Sequence, residues 1–189
     1  MTYPSLYILR HGQTEWNADD RMQGSLNSPL TALGREQAEA QHAILKDVDL
    51  TGYEAIASPQ GRAFHTASIA LRDLFPRIRT DNQLVEIGLG AWEGKYRKEC
   101  LHPESQENVF ALYEQAPGGE GFTKLHARCL AFLSRLEGPA VLVTHGVTSR
   151  MLRLILLGLG TERIADLPGG QGVVYHLEDG VQRKLKIGA

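Results

Sequence analysis

The chain has 189 residues, of which 22% are charged and 42% hydrophobic, the proportions of an ordinary globular protein with room for one substantial core. A formal net charge of −2 gives no electrostatic case for nucleic acid, so any basic site has to be local. Cys100 and Cys129 form neither a metal-spaced motif nor a disulfide framework, the N-terminus lacks the regions of a secretion signal, and the apolar stretch near Met151 to Leu159 is interrupted by Arg153 and Gly158. The expectation is one domain over 1–189, in a reducing cytoplasm, with no membrane span and no nucleic-acid partner.

Ser5 to Leu9 reads as a short strand whose apolar run suits a sheet buried on both faces. It delivers Arg10 and His11 into a polar loop at its carboxyl end, where ligands of open α/β sheets bind. Thr31 is available as the N-cap of a helix running to about Lys46, with Ala38, Ile44 and Leu45 on its buried face. Tyr53 to Ala57 is a second strand, ending in the turn Ser58-Pro59-Gln60-Gly61-Arg62. A helix follows from about Gly61 to Leu74, with Phe64, Ile69 and Leu71 facing inward before Pro76 closes it.

From Glu86 to about Phe122 the periodicity is weak, and this stretch reads as loops and short helices, with a lid-like insertion at about 87–122. A helix from Lys124 to Leu136 and a strand from Ala140 to Thr144 come next, with His145-Gly146 at the carboxyl end of that strand. A leucine-rich helix from about Val147 to Leu157 precedes a hairpin made of Val173 to Leu177, the turn Asp179-Gly180, and Val181 to Ile187. This alternation predicts a three-layer α/β/α sandwich with a mostly parallel central sheet and an antiparallel edge strand.

If the strands are parallel neighbours, Arg10, His11, Arg62 and His145 converge on one crevice. A phosphoryl group suits it, because its oxygens need several donors and arginine offers a planar fork matched to two of them. No HExxH, EF-hand or Walker-type pattern is present, so neither a metal nor another cofactor is called for. With no cysteine in these loops, His11 is the candidate nucleophile, and neighbouring arginines help to keep its imidazole neutral. Glu86 is the best-placed carboxyl to protonate a leaving alkoxide, with Glu93 and Glu120 as nearby alternatives. Asn17 has a second reading as a turn former.

Several motifs occur in order: Arg10-His11-Gly12 with Thr14-Glu15-Trp16-Asn17, Gln23-Gly24, Pro29-Leu30-Thr31 with Gly34, Ser58-Pro59 with Arg62-Ala63 and Thr66-Ala67, Glu86 with Trp92-Glu93-Gly94, and Thr144-His145-Gly146. Together they resemble the histidine phosphatase superfamily, also called phosphoglycerate-mutase-like, over roughly Leu6 to Met151. The resemblance implies that His11 is phosphorylated, that Glu86 is the proton donor, and that Arg10, Arg62 and His145 complete the phosphate pocket. It also implies a metal-free two-step mechanism, with secondary contacts from Asn17, Gln23, Gly24, Gly146 and the Gly12 amide.

Within that family the compact chain and the sequence Glu86-Ile87-Gly88 look more like phosphatases than mutases. The expected activity is therefore a metal-independent phosphomonoesterase acting on a small phosphorylated metabolite. A cofactor-dependent phosphoglycerate-mutase-type phosphotransferase and a non-catalytic phosphate-ligand sensor are the alternatives. Gly121 and Gln171 stand where such proteins often carry serine and asparagine, which bears on substrate choice. The charged insertion, with His102, Glu104 and Glu107 among its residues, shows no bias toward one substrate class. The resemblance allows a homodimer, but no sequence patch singles out an interface.

Overall fold

The computed structural model describes residues 3–100 and 110–188. Its strands are β1 (Leu6–Arg10), β2 (Glu54–Ala57), β3 (Arg79–Thr80), β4 (Ala140–Thr144), β5 (Val174–Glu178) and β6 (Val181–Leu185). They form one sheet in the order β3-β2-β4-β1-β5-β6. The β3, β2, β4 and β1 strands run parallel, β5 is antiparallel to β1, and β6 is antiparallel to β5. The terminal hairpin thus supplies the antiparallel edge pair. Its turn residues Asp179 and Gly180 both have positive φ, 50° and 72°, as a two-residue hairpin turn requires.

The longer helices are α2 (Ala32–Leu45), α3 (Gly61–Ala70), α6 (Gly121–Leu133) and α7 (Gly146–Leu156), with short α1 (Glu15–Ala18), α4 (Arg97–Cys100) and α5 (Ala111–Gln115) between them. The period of two in the strands divides the core into two layers. Leu6, Ile8, Leu142 and Ile56 face α6 and α7, where Leu125, Phe132, Met151 and Leu152 meet them. Tyr7, Leu9, Val141 and Val143 face the opposite way, toward Leu45 of α2 and Ala67 and Ala70 of α3. Burial on both faces explains why β1 and β4 read as unbroken apolar runs.

Two expectations for α3 are corrected. Phe64 is 43% exposed, and the buried face of α3 is Arg62, Ala63, Thr66, Ala67 and Ala70. Small side chains let this helix lie close against its neighbours, and a phenylalanine on that face would hold it off. The helix ends at Ala70, not Leu74, and Asp73 in the left-handed region at φ 60° fits no continuing helix. The edge strand β3 was not anticipated, since two exposed polar residues carry no periodicity.

The segment expected as a lid is partly core, because Ile87, Leu89, Cys100 and Ala116 are buried. Its stretch 94–97 is bonded to the loop after α1: Met22 N donates to Lys95 O, Gly94 N to Met22 O, and Arg97 N to Asp20 O. His102, Glu104 and Glu107 lie outside the described residues.

The loop after β1 is held down on α2. Gln37 Oε1 accepts from Gln13 N at 2.8 Å, and Gln41 Nε2 donates to Arg10 O at 2.9 Å and to Val173 O at 3.1 Å. Thr31 caps the helix by accepting from Gly34 N at 3.0 Å. The contact is backbone on backbone: a Cβ on Gly12 would lie 2.0 Å from Gly34 O, and one on Gly34 would lie 2.0 Å from Gln13 O. Gly34→Ala should therefore force the loop and helix apart and cost on the order of 3 kcal/mol, read as a lowered urea midpoint with the transition still cooperative.

Candidate active site

Continuation of the parallel ladder assembles the site. His11 N donates to Thr144 O at 2.9 Å and Ser58 N to Val143 O at 2.9 Å, so the residues leaving β1, β4 and β2 emerge side by side. The His11 and His145 rings meet edge to face with centroids 5.2 Å apart. Both are almost completely buried.

His11 Nδ1 lies 2.7 Å from Gly12 O. A carbonyl oxygen can only accept, so Nδ1 carries the proton and Nε2 keeps its lone pair. Burial holds the imidazole well below its ordinary value of 6.5, and the charges of Arg10 and then Arg62 add to that. His145 is likewise held well below 6.5, first by burial and then by Arg62 and His11. Its Nε2 is 2.8 Å from Ser58 Oγ.

Arg62 opens α3 and is itself buried, its guanidinium aimed by carbonyls: Nη1 donates to Leu26 O at 2.5 Å and Nη2 to Gly24 O at 2.9 Å. Burial brings its pKa down to about 10 against the pull of Glu86. Arg10 is lowered in the same way, again by burial first. The Arg10 guanidinium packs over Gly146, where a Cβ would come within 3.3 Å of Cζ. Five buried side-chain N or O atoms among the described residues have no hydrogen-bond partner, and three of them are Arg10 Nε, Arg62 Nε and His145 Nδ1. A phosphoryl group, rich in acceptor oxygens, matches that donor set.

Glu86, in the segment after the 3-10 turn Asn82–Leu84, faces this cluster and is held by the first turn of α7. Its Oε1 accepts from Thr148 N and Ile87 N, each at 3.0 Å, with Thr148 Oγ also 3.0 Å away, and its Oε2 accepts from Val147 N at 3.2 Å. Free amides at a helix start are suited to a carboxylate. Gln60 ties the acid to Arg62, its Oε1 accepting from Glu86 N at 2.8 Å and from Arg62 Nη2 at 3.4 Å. The alternative acids are engaged elsewhere, Glu93 with Ser25 and Leu89, and Glu120 with Arg128.

The secondary residues fall into place differently. Gly24 offers its carbonyl to Arg62, and the Gly12 amide donates to Thr66 Oγ1 at 3.0 Å. Gln23 is buried with its carboxamide bonded to Thr14 and Ser28. Asn17 closes a capping box with Thr14, and Gln171 Nε2 reaches both its Oδ1 at 3.4 Å and His11 O at 3.1 Å. Sequence reasoning gave no role to Ser58, Gln60, Thr66 or Thr148. Ser58 carries a signal in hindsight, since it leaves β2 as His11 leaves β1. Among the described residues no group of three or more His, Cys, Asp or Glu could hold a metal ion, and no helix is long and apolar enough to cross a membrane.

Residues 6–184 match the model of the histidine phosphatase superfamily (branch 1), and the chain belongs to that family. A protein from Salmonella choleraesuis (strain SC-B67) named "Probable phosphoglycerate mutase GpmB" is 34% identical over 163 residues, covering 82% of this chain and 75% of its own. The alpha-ribazole phosphatase from Shigella flexneri superposes with a TM-score of 0.80 at 27% identity, covering 98% of this chain and 96% of that one. A mycobacterial glucosyl-3-phosphoglycerate phosphatase, solved with VO3, gives a TM-score of 0.77 at 28% identity over 97% of this chain and 98% of that one.

The two fully buried histidines, His11 and His145, set a pH dependence of stability. Unfolded, each takes up a proton as the pH falls through 6.5, whereas folded each stays neutral until well below that value. The unfolded state then binds more protons, so stability is lost as the pH drops below 6.5, by up to about 1.4 kcal/mol per pH unit for each histidine. Urea midpoints measured between pH 7.5 and 5 should fall along that slope, and His11→Gln should flatten it.

Proposed function

We propose that this protein is a phosphomonoesterase that works without a metal, through a phosphohistidine at His11, on a small phosphorylated metabolite in a reducing cytoplasm. The observation that carries the reading is the Nδ1 contact of His11 with Gly12 O at 2.7 Å, which leaves a neutral nucleophilic Nε2 among buried arginine donors. In the first step Glu86 receives a proton from the monoanionic phosphate ester and passes it to the departing oxygen, as the Nε2 lone pair forms a bond to phosphorus and the ester P–O bond breaks. Water then attacks phosphorus, Glu86 takes a proton from it, and the N–P bond breaks to release phosphate and restore His11. Arg10, Arg62 and His145 meet the non-bridging oxygens in both steps, with Gly12, Asn17, Gln23, Gly24 and Gly146 as secondary contacts.

Hydrolysis is favoured by the phosphatase relatives of the same fold. The curated relative named as a phosphoglycerate mutase supports a second reading, in which the phosphoryl group returns to an organic acceptor. A net charge of −2 favours neither nucleic acid nor an anionic membrane as a partner.

The test is phosphate release from p-nitrophenyl phosphate and a panel of alkyl and sugar phosphates with EDTA present. Wild type should turn over, should retain phosphate on His11 after acid-free quenching, and should lose at least ~10³-fold of its rate in a folded His11→Ala variant. An unchanged rate in that variant would refute the reading. Transfer stimulated by a bisphosphorylated activator with little free phosphate would favour the mutase, and phosphate binding without turnover would point to a sensor.

A further inference from the structure

The segment carrying Glu86 has little secondary structure of its own, only the 3-10 turn Asn82–Leu84. Its backbone polar groups therefore depend on side chains from other elements. Arg128, in the middle of α6, supplies two of these contacts: Nη1 donates to Gln83 O at 2.6 Å and Nη2 to Val85 O at 2.8 Å. The same guanidinium is held by Glu120, with Nε to Oε1 at 2.5 Å and Nη2 to Oε2 at 3.1 Å. Glu120 also binds the other side of the segment, accepting from Gly88 N at 3.2 Å on Oε2 and donating its own N–H to Gly88 O at 2.9 Å.

We infer that Arg128 and Glu120 act as a clamp that positions Glu86 for proton transfer; this rests on the reading of Glu86 as the proton donor. Residues 83, 85 and 88 are bonded to the two ends of one bidentate ion pair, and Glu86 lies between them. The side chains are only 17% and 18% exposed, so the pair is shielded more than a surface salt bridge and its geometry is fixed from four directions. A lysine could not reproduce it, because one ammonium cannot span two carbonyls and a carboxylate in the fork geometry of arginine. Thr148 completes the arrangement from α7, its Oγ lying 2.7 Å from Val85 O and 3.0 Å from Glu86 Oε1. The acid is thus fixed between two helices. Small displacements of a proton donor are costly to catalysis, whereas the phosphate-binding arginines on β1 and α3 make no hydrogen bond to the clamp.

The consequence is selective and can be separated from a general loss of structure. An alkyl ester needs a proton on its leaving oxygen, whereas p-nitrophenolate departs with far less help. The value of kcat/KM reports the steps up to departure of that group, so it isolates the first proton transfer. The experiment compares kcat/KM on p-nitrophenyl phosphate with kcat/KM on the best alkyl phosphate of the panel, for wild type, Glu86→Gln, Arg128→Met and Glu120→Gln. Glu86→Gln should lose ~10²-fold more on the alkyl ester than on the aryl ester, and the two clamp variants ~10-fold more.

Equal losses on both esters in Glu86→Gln would overturn the role of Glu86 and the clamp with it. A selective Glu86→Gln alongside unselective clamp variants would overturn the clamp alone. Should Arg128→Met fail to fold, Arg128→Lys and Glu120→Gln decide by the same ratio.

Discussion

The parallel pairing of β1 with β4 is the contact on which the rest of the molecule depends. In this register Arg10 lies beside Thr144, so the next residue on each strand is a histidine, and the ladder bond from His11 N to Thr144 O carries the pairing into the loop. A one-residue slip would turn every side chain of β1 to the other face and separate the two imidazoles. Because β1 is apolar on both faces and sits between β4 and β5, such a slip would place core residues against the wrong layer. The position of His11 is therefore enforced by the hydrophobic core rather than by the loop that carries it.

Burial then does most of the electrostatic work. Desolvation is the first cause of the low affinity of both histidines for protons, and it also lowers Arg10 and Arg62. Arg62 is tolerated inside because the carbonyls of Gly24 and Leu26 meet its N–H groups, and the loop 24–27 is in turn held by Asn27 Oδ1 accepting from Arg62 N at 2.8 Å. Glu86 opposes these cations with its carboxylate received by the amides of Val147 and Thr148 at the start of α7. A pocket with this balance suits a dianion that brings its own charge and acceptors.

Much of this was legible in the chain. The apolar runs of β1 and β4, the Thr31 cap and the Asp179-Gly180 turn each have a local physical cause, and each lies where the local cause puts it. Phe64 misled because a helical apolar position is ambiguous until the neighbouring surface is known, and there the partner required alanines. The roles of Ser58, Gln60 and Thr148 were silent because a polar residue in a turn has many local explanations and only its three-dimensional neighbour selects one. The hydrogen bonds of Gln23 to Thr14 and Ser28 and of the Gly12 amide to Thr66 were silent for the same reason.

The sequence by itself determined the layer architecture and the identity of the basic groups at the strand ends, because periodicity, caps and residue type act over a few neighbouring positions. The order of the strands, the partners of Glu86, Glu93 and Glu120, the proton on His11 Nδ1 and the Arg128–Glu120 ion pair were decided only by the tertiary structure. Each of those depends on groups far apart in the chain brought within hydrogen-bond distance, and neither hydrogen bonding nor desolvation acts until packing has excluded water from between them.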